Sequence, residues 1–169
     1  MKTLIVIDMQ NDFIDGSLGT PEAQIIVPKV KNKIDEYIKN NDKVIFTRDT
    51  HFEEYLNTQE GKNLPIKHCI KGTNGWNITS KFDSIEDKCT VIDKLTFGSS
   101  ELPAFIDKTD EIEMVGLCTD ICVISNAMIL KAFFPEIKIS VVSSCCAGVT
   151  PKTHENALVA MKMCQINII

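Results

Sequence analysis

Cys122 is the residue in this chain best placed to do chemistry. It lies in the segment EIEMVGLCTDICVISNAMIL, residues 111–130, where an apolar run ends at Gly116, a short polar turn follows and a helical pattern begins near Thr119. That order places a thiol in the first turn of a helix, just past the carboxyl end of a strand. Free backbone N–H groups and the positive end of the helix dipole lower a thiol's pKa there, so an activated nucleophile is expected. Asp8 closes the apolar run LIVID and Lys94 closes TVIDK. A carboxylate can take the proton of the thiol and return it to a leaving amine, and an ammonium beside them stabilises both anions. The N–H groups of the 118–122 turn can hold a developing oxyanion. Carboxylate, amine and thiol at equivalent strand ends are the parts of a cysteine hydrolase.

A second constellation is Asp49-Thr50-His51 with His68, and Glu60 between them. Aspartate and histidine two residues apart in a loop, joined by a second histidine and a further carboxylate, can share a divalent metal. The same residues also suit a hydrogen-bonded polar loop. His154, at the start of the last helical pattern, reads as a surface or capping residue. Cys69, beside His68, faces away from it if the segment is extended.

The elements that must position these groups follow from periodicity. Strands are expected at Thr3–Ile7, Lys43–Thr47, Lys88–Ile92, Glu111–Val115, Ile137–Ser143 and Gln165–Ile169, and helices at Gln24–Lys39, Ser99–Asp107, Thr119–Phe133 and Pro151–Met163. Val- and Ile-rich strands without polar alternation are buried on both faces. Alternation of strands with helices implies a parallel sheet with right-handed crossovers. Ligands in such a sheet bind beyond the carboxyl ends of the strands, where Asp8, Arg48, Asp49, His51, Lys94 and Cys122 all fall. The stretch from Asp49 to Asp87 is too long for an idle connection.

The 169 residues, 44% hydrophobic and 24% charged, suit one domain over 1–169. A net charge of −5 and a single arginine, Arg48, argue against a nucleic-acid partner. No apolar run approaches a membrane span, and the run after Lys2 stops at Asp8, too short for a signal-peptide core; the expectation is a cytoplasmic protein. The seven cysteines include no C-x-x-C pair, and reduced thiols are expected.

The motifs IVIDMQNDFIDG, RDTH, HCIKGTNGW and GLCTDICV occur in this order across roughly residues 3–165, and the chain resembles the isochorismatase-like cysteine hydrolases, whose best-known members are nicotinamidases. The resemblance implies a three-layer α/β fold with a six-stranded parallel sheet and a catalytic triad of Asp8, Lys94 and Cys122. It implies an oxyanion hole from the amides of Cys118 and Cys122, with a non-proline cis peptide at Leu117–Cys118. It further implies metal ligation by Asp49, His51 and His68, with Glu60 as a fourth ligand, around zinc, iron or manganese. Phe13 matches an aromatic that packs on the substrate ring. The implied activity is hydrolysis of nicotinamide to nicotinate and ammonia, a step of NAD salvage, by a homo-oligomer with a small-molecule amide as its partner. Two departures stand out: Pro65 occupies a position where nicotinamidases often carry an aromatic, and the KLTFGSS segment after Lys94 is short. Pro65 keeps open a second reading, an amidohydrolase for another small amide or a ureido or carbamoyl compound. A non-catalytic binding member is the rival from another class, against which the complete triad argues.

Overall fold

The computed structural model describes residues 1–83, 85, 89–106 and 111–169. Six parallel strands form one sheet in the order β3-β2-β1-β4-β5-β6. These are β1 (Lys2–Ile7), β2 (Lys43–Asp49), β3 (Thr90–Lys94), β4 (Glu111–Leu117), β5 (Ile139–Ala147) and β6 (Asn167–Ile168). The order reverses between β1 and β4, so the two central strands diverge into separate connections and leave a crevice beyond their carboxyl ends. The six-stranded parallel sheet expected from the sequence is therefore present.

β1 shows why the layers form. It is hydrogen-bonded on both sides, and its apolar residues alternate between two cores. Leu4 and Val6 face one core with Ile26, Val30 and Ile34 of α2 (Pro21–Lys39). Ile5 and Ile7 face the other with Ala127 and Leu130 of α4 (Ile124–Phe133) and Leu158 and Met161 of α5 (Pro151–Met163). A strand buried on both faces has no need of polar alternation. Short helices α1 (Asn11–Ile14) and α3 (Gln59–Asn63) belong to the loops over the crevice. Among the described residues no helix is long and apolar enough to cross a membrane.

Several boundaries differ from those read in the sequence. β5 runs on to Ala147 because Gly116 and Leu117 continue to pair with Cys146 and Ala147 after a shift in register. The helix expected from Thr119 begins instead with a π-turn, Thr119–Val123, in which Val123 N–H donates to Cys118 O at 3.0 Å. The Ser99–Asp107 helix is a single 3₁₀ turn, Leu102–Phe105, with Ser99 Oγ accepting from Leu102 N–H. Asp87, Lys88 and Asp107 lie outside the described residues.

Candidate active site

Backbone geometry at the crevice sets the reactive groups side by side. Asp49 and Lys94 are register partners on β2 and β3. Gly116 is the partner of Ile7 across β1 and β4, at φ +119°, and a Cβ there would lie 2.1 Å from the Ile7 carbonyl oxygen. Only glycine fits so close an approach, and it lets Leu117 and Cys118 run beside Asp8. The Leu117–Cys118 peptide is cis, as the resemblance implied.

Asp8, Lys94 and Cys122 meet. Their exposures are 0%, 3% and 4%. Lys94 Nζ lies 2.7 Å from Asp8 Oδ2 and 3.6 Å from Cys122 Sγ. Thr47 Oγ1 donates to the other Asp8 oxygen at 2.7 Å. Burial pushes the Asp8 carboxyl up, against the opposing pull of Lys94. Burial also tends to lower Lys94, but the carboxylates of Asp8 and Asp49 hold the ammonium well above its ordinary value.

Cys122 departs from the sequence expectation. Burial drives its thiol upward; Lys94 pulls the other way, and the carboxylates of Asp8 and Asp49 reinforce the rise. The dipole of a helix N-terminus falls off within a turn, and here it is outweighed by desolvation and two nearby anions. The free thiol therefore keeps its proton, with the Asp8 carboxylate as its hydrogen-bonding neighbour.

The second cluster is equally close. His51 Nε2 lies 3.0 Å from Asp49 Oδ2 and 3.4 Å from Glu60 Oε1, and His68 Nε2 is 3.7 Å from each of the same two carboxylate oxygens. One ligand atom from each of the four residues falls within 4.8 Å of the others. His68 Nδ1 bonds to the Ile66 carbonyl at 2.8 Å, which turns Nε2 toward the cluster. Buried His51 Nε2 has no hydrogen bond of good geometry. Burial lowers the His51 imidazole, but Asp49 and Glu60 raise it further, to about 9. Two imidazoles and two carboxylates, with a buried nitrogen left over, fit a divalent metal of the zinc, iron and manganese group.

Asp49 joins the two clusters, a link the sequence did not disclose. Its Oδ1 meets Lys94 Nζ at 3.1 Å while Oδ2 faces the histidines. Burial would raise this carboxyl, but His51 and Lys94 hold it low and ionised.

A cavity of about 240 Å³ opens onto both clusters, with Phe13, Asp49, Glu60, His68, Cys118 and Cys122 in its wall. Phe13 lies against His68, ring centroids 5.6 Å apart. Arg48 turns away, paired with Asp93 at 2.7 Å and stacked 3.6 Å from the Trp76 ring centroid. Cys69 is buried outside the ligand cluster. His154 is neither free nor capping: its Nδ1 bonds Thr119 Oγ1 at 2.8 Å, holding the turn next to Cys118.

Other contributors were missed. Gln10, fully buried, accepts from Asp49 N–H at 2.7 Å and donates to Asp49 O at 2.8 Å and Trp76 O at 2.9 Å, fixing the end of β2 against the loop that carries Trp76. Its place inside DMQNDF was the available signal. Pro65 is exposed and outside the cavity wall; its neighbour Leu64 and the distant Phe97 are in it.

Residues 2–169 match the isochorismatase domain model. The isochorismatase family protein PncA of Bacillus subtilis is 30% identical over 171 residues, covering 93% of this chain and 92% of the relative. The nicotinamidase of Saccharomyces cerevisiae is 26% identical over 174 residues, 76% of this chain and 80% of that one. Among solved structures, the pyrazinamidase of Pyrococcus horikoshii in complex with zinc superimposes with a TM-score of 0.87 at 26% identity, over 99% of this chain and 98% of that one.

Proposed function

The chain belongs to the isochorismatase family, and from that premise we propose that it is a metal-dependent cysteine amidohydrolase that converts nicotinamide to nicotinate and ammonia. The observation that carries the reading is the meeting of Lys94 Nζ with Asp8, Asp49 and Cys122 within 3.6 Å at the wall of one small cavity. Relatives named nicotinamidase and pyrazinamidase support it.

Asp8 takes the proton of Cys122 as the sulfur attacks the amide carbon. The oxyanion accepts hydrogen bonds from the amides of Cys118 and Cys122. The C–N bond then breaks as Asp8 returns the proton to nitrogen, and ammonia leaves a thioester behind. Water, giving a proton to Asp8, attacks that thioester; the acid departs and the sulfur recovers its proton. Lys94 keeps the ammonium charge beside whichever of the two groups is anionic. A pKa raised by burial suits Asp8 to holding a proton in mid-cycle. Asp49, His51, His68 and Glu60 would hold a divalent metal, which would supply a Lewis acid for an electron-pair donor such as the ring nitrogen of a pyridine amide. Phe13 packs on the ring.

The rival reading is an amidohydrolase for another small amide or a ureido or carbamoyl compound, and an anionic member of that class would have only the metal as a cationic partner in the cavity wall. The charged side chains among the residues that line the cavity are Asp49 and Glu60, both acidic, with no lysine or arginine. The volume of about 240 Å³ lies below the usual range of about 300–1,000 Å³ for ligand pockets and suits a single-ring amide. The protein is further proposed to be cytoplasmic, a single domain and a homo-oligomer. Ammonia release from nicotinamide, compared with carbamoyl and ureido substrates, tests the assignment. Turnover confined to the latter, or normal turnover by Cys122→Ala, overturns it.

A further inference from the structure

The turn that carries Cys122 is fastened from outside itself, by a segment that leaves the neighbouring strand. Leu117 and Ala147 are register partners at the ends of β4 and β5, so the chain continues side by side after each. After Leu117 comes the π-turn; after Ala147 come Gly148, Val149 and the start of α5. Two consecutive residues of the turn reach across. Thr119, fully buried, meets His154 Nδ1 through its Oγ1 at 2.8 Å, and Asp120 accepts from Val149 N–H through its two carboxylate oxygens at 3.1 and 3.3 Å. The start of α5 is itself well held. Thr150 Oγ1 accepts from Thr153 N–H at 3.1 Å, Thr153 Oγ1 accepts from Thr150 N–H at 3.1 Å, and His154 N–H donates to Thr150 O at 3.0 Å. A Cβ on Gly148 would lie 2.9 Å from His154 Cβ, so glycine lets the first turn of α5 sit against the strand end.

A threonine hydroxyl can be satisfied by a backbone group of its own turn; this one instead meets a side chain 35 residues further along. Its place gives the bond a consequence. Thr119 lies between Cys118 and Cys122, whose amides receive the oxyanion in the mechanism above. Cys118 O accepts from Ile121 N–H at 3.1 Å and Val123 N–H at 3.0 Å, on either side of Cys122 in the sequence. Oxyanion donors accelerate a reaction only when they are already aimed at the place where charge develops. A hydroxyl anchored to α5 holds the middle of this turn in place as the substrate carbonyl becomes an oxyanion. We propose that His154 is a positioning residue for the reaction: through Thr119 it keeps the Cys118 and Cys122 amides aimed at the oxyanion. His154 lines a different cavity from the catalytic one, and it acts through the turn alone. The inference rests on the amidohydrolase reading above.

Three variants of the metal-loaded protein separate this role from a merely structural one. His154→Leu removes the bond and keeps the bulk. His154→Asn puts an amide atom where Nδ1 stands, able to donate or accept as Thr119 requires. Thr119→Val removes the hydroxyl from the other side. His154→Leu is expected to lower kcat for nicotinamide about 10–50-fold, less than the loss of a whole oxyanion donor. Nicotinamide affinity, measured by calorimetry in the Cys122→Ala background, should change by less than about twofold, because the bond acts on the transition state. Inhibition by nicotinaldehyde should weaken by a factor close to the loss in kcat, since its adduct puts an oxyanion in the same place. In that addition Sγ bonds to the aldehyde carbon, the C=O double bond becomes a C–O⁻ single bond, and the thiol proton passes to Asp8. His154→Asn should restore most of both losses. Thr119→Val should match His154→Leu, and the double variant should be no worse than either single one. Should His154→Leu fail to fold, Thr119→Val carries the same expectations. If the unmodified protein hydrolyses nicotinamide but the variant keeps kcat within about threefold, or loses nicotinamide affinity as much as kcat, the positioning role is refuted and the amidohydrolase reading stands. No recovery in His154→Asn, or additive losses in the double variant, refutes the path through Thr119. An unmodified protein inactive on nicotinamide overturns the amidohydrolase reading and this inference together.

Discussion

Replacing Asp8 with asparagine keeps the shape of the side chain and removes its charge. Asp8 is fully buried, with one oxygen on Thr47 Oγ1 and the other 2.7 Å from Lys94 Nζ. If the asparagine keeps its oxygen on Thr47, its NH₂ faces the Lys94 ammonium, donor against donor. If the amide reverses, Lys94 regains an oxygen and Thr47 can accept instead, but the compensating charge is lost either way. Breaking a buried ion pair costs about 3–5 kcal/mol. Asp49, still 3.1 Å from Lys94, places the expected loss near the lower end, about 3 kcal/mol. Against a total stability of about 5–15 kcal/mol the protein stays folded at 25 °C, with its melting temperature lowered by roughly 6–12 °C. Catalysis suffers more, because the proton acceptor is gone: kcat for nicotinamide is expected to fall about 10³-fold, within the usual range for losing a general base, with KM little changed. Ammonia release at fixed metal and a thermal melt read the two effects. Turnover within tenfold of the unmodified protein would refute Asp8 as the proton acceptor, and an unchanged melting temperature would refute the buried ion pair.

His51→Ala is expected to lower metal affinity by about 100-fold or more, with substoichiometric metal by elemental analysis after dialysis; full retention of metal would remove His51 from the ligand set. Chelation of the unmodified protein should abolish nicotinamide hydrolysis, and adding zinc, iron or manganese should restore it. Gly116→Ala forces a Cβ to within 2.1 Å of the Ile7 carbonyl at φ +119°; a loss of about 3 kcal/mol or more is expected in denaturant unfolding. For Cys122 the sign runs upward: burial favours the neutral thiol, so the thiolate fraction grows about tenfold per pH unit until the raised pKa is reached. Iodoacetamide labelling of Cys122 should be slow at neutral pH and climb through pH 9, past the ordinary thiol pKa of about 8.5. A plateau near neutrality would show an activated thiolate instead.

The chemistry-bearing strand ends were legible because buried parallel strands are written as apolar runs that stop where chemistry starts. LIVID delivers Asp8, TVIDK delivers Lys94, and EIEMVGL leads into the turn that carries Cys122. The same logic made the six strands and the long helices readable in order, if not to their last residues, whereas the grouping of Asp49, His51, Glu60 and His68 was suggested by residue type and spacing and by the family resemblance. Pairing across strands was not legible. That Asp49 touches Lys94 depends on the β2–β3 register, and that Gly116 lets β4 approach Ile7 depends on the β1–β4 register. The state of the thiol was misread because a helix terminus is a local signal, whereas the desolvation that overrides it comes from layers distant in the chain. Phe97, Gln10 and the bond between His154 and Thr119 went unremarked for a related reason. Their types are ordinary, and only folding brings the loop to the cavity, and the helix and the strand end within hydrogen-bonding distance of the groups they hold. Residue types and their order along the chain determined which reactions were possible; packing decided which groups meet, how dry they are and which proton each one holds.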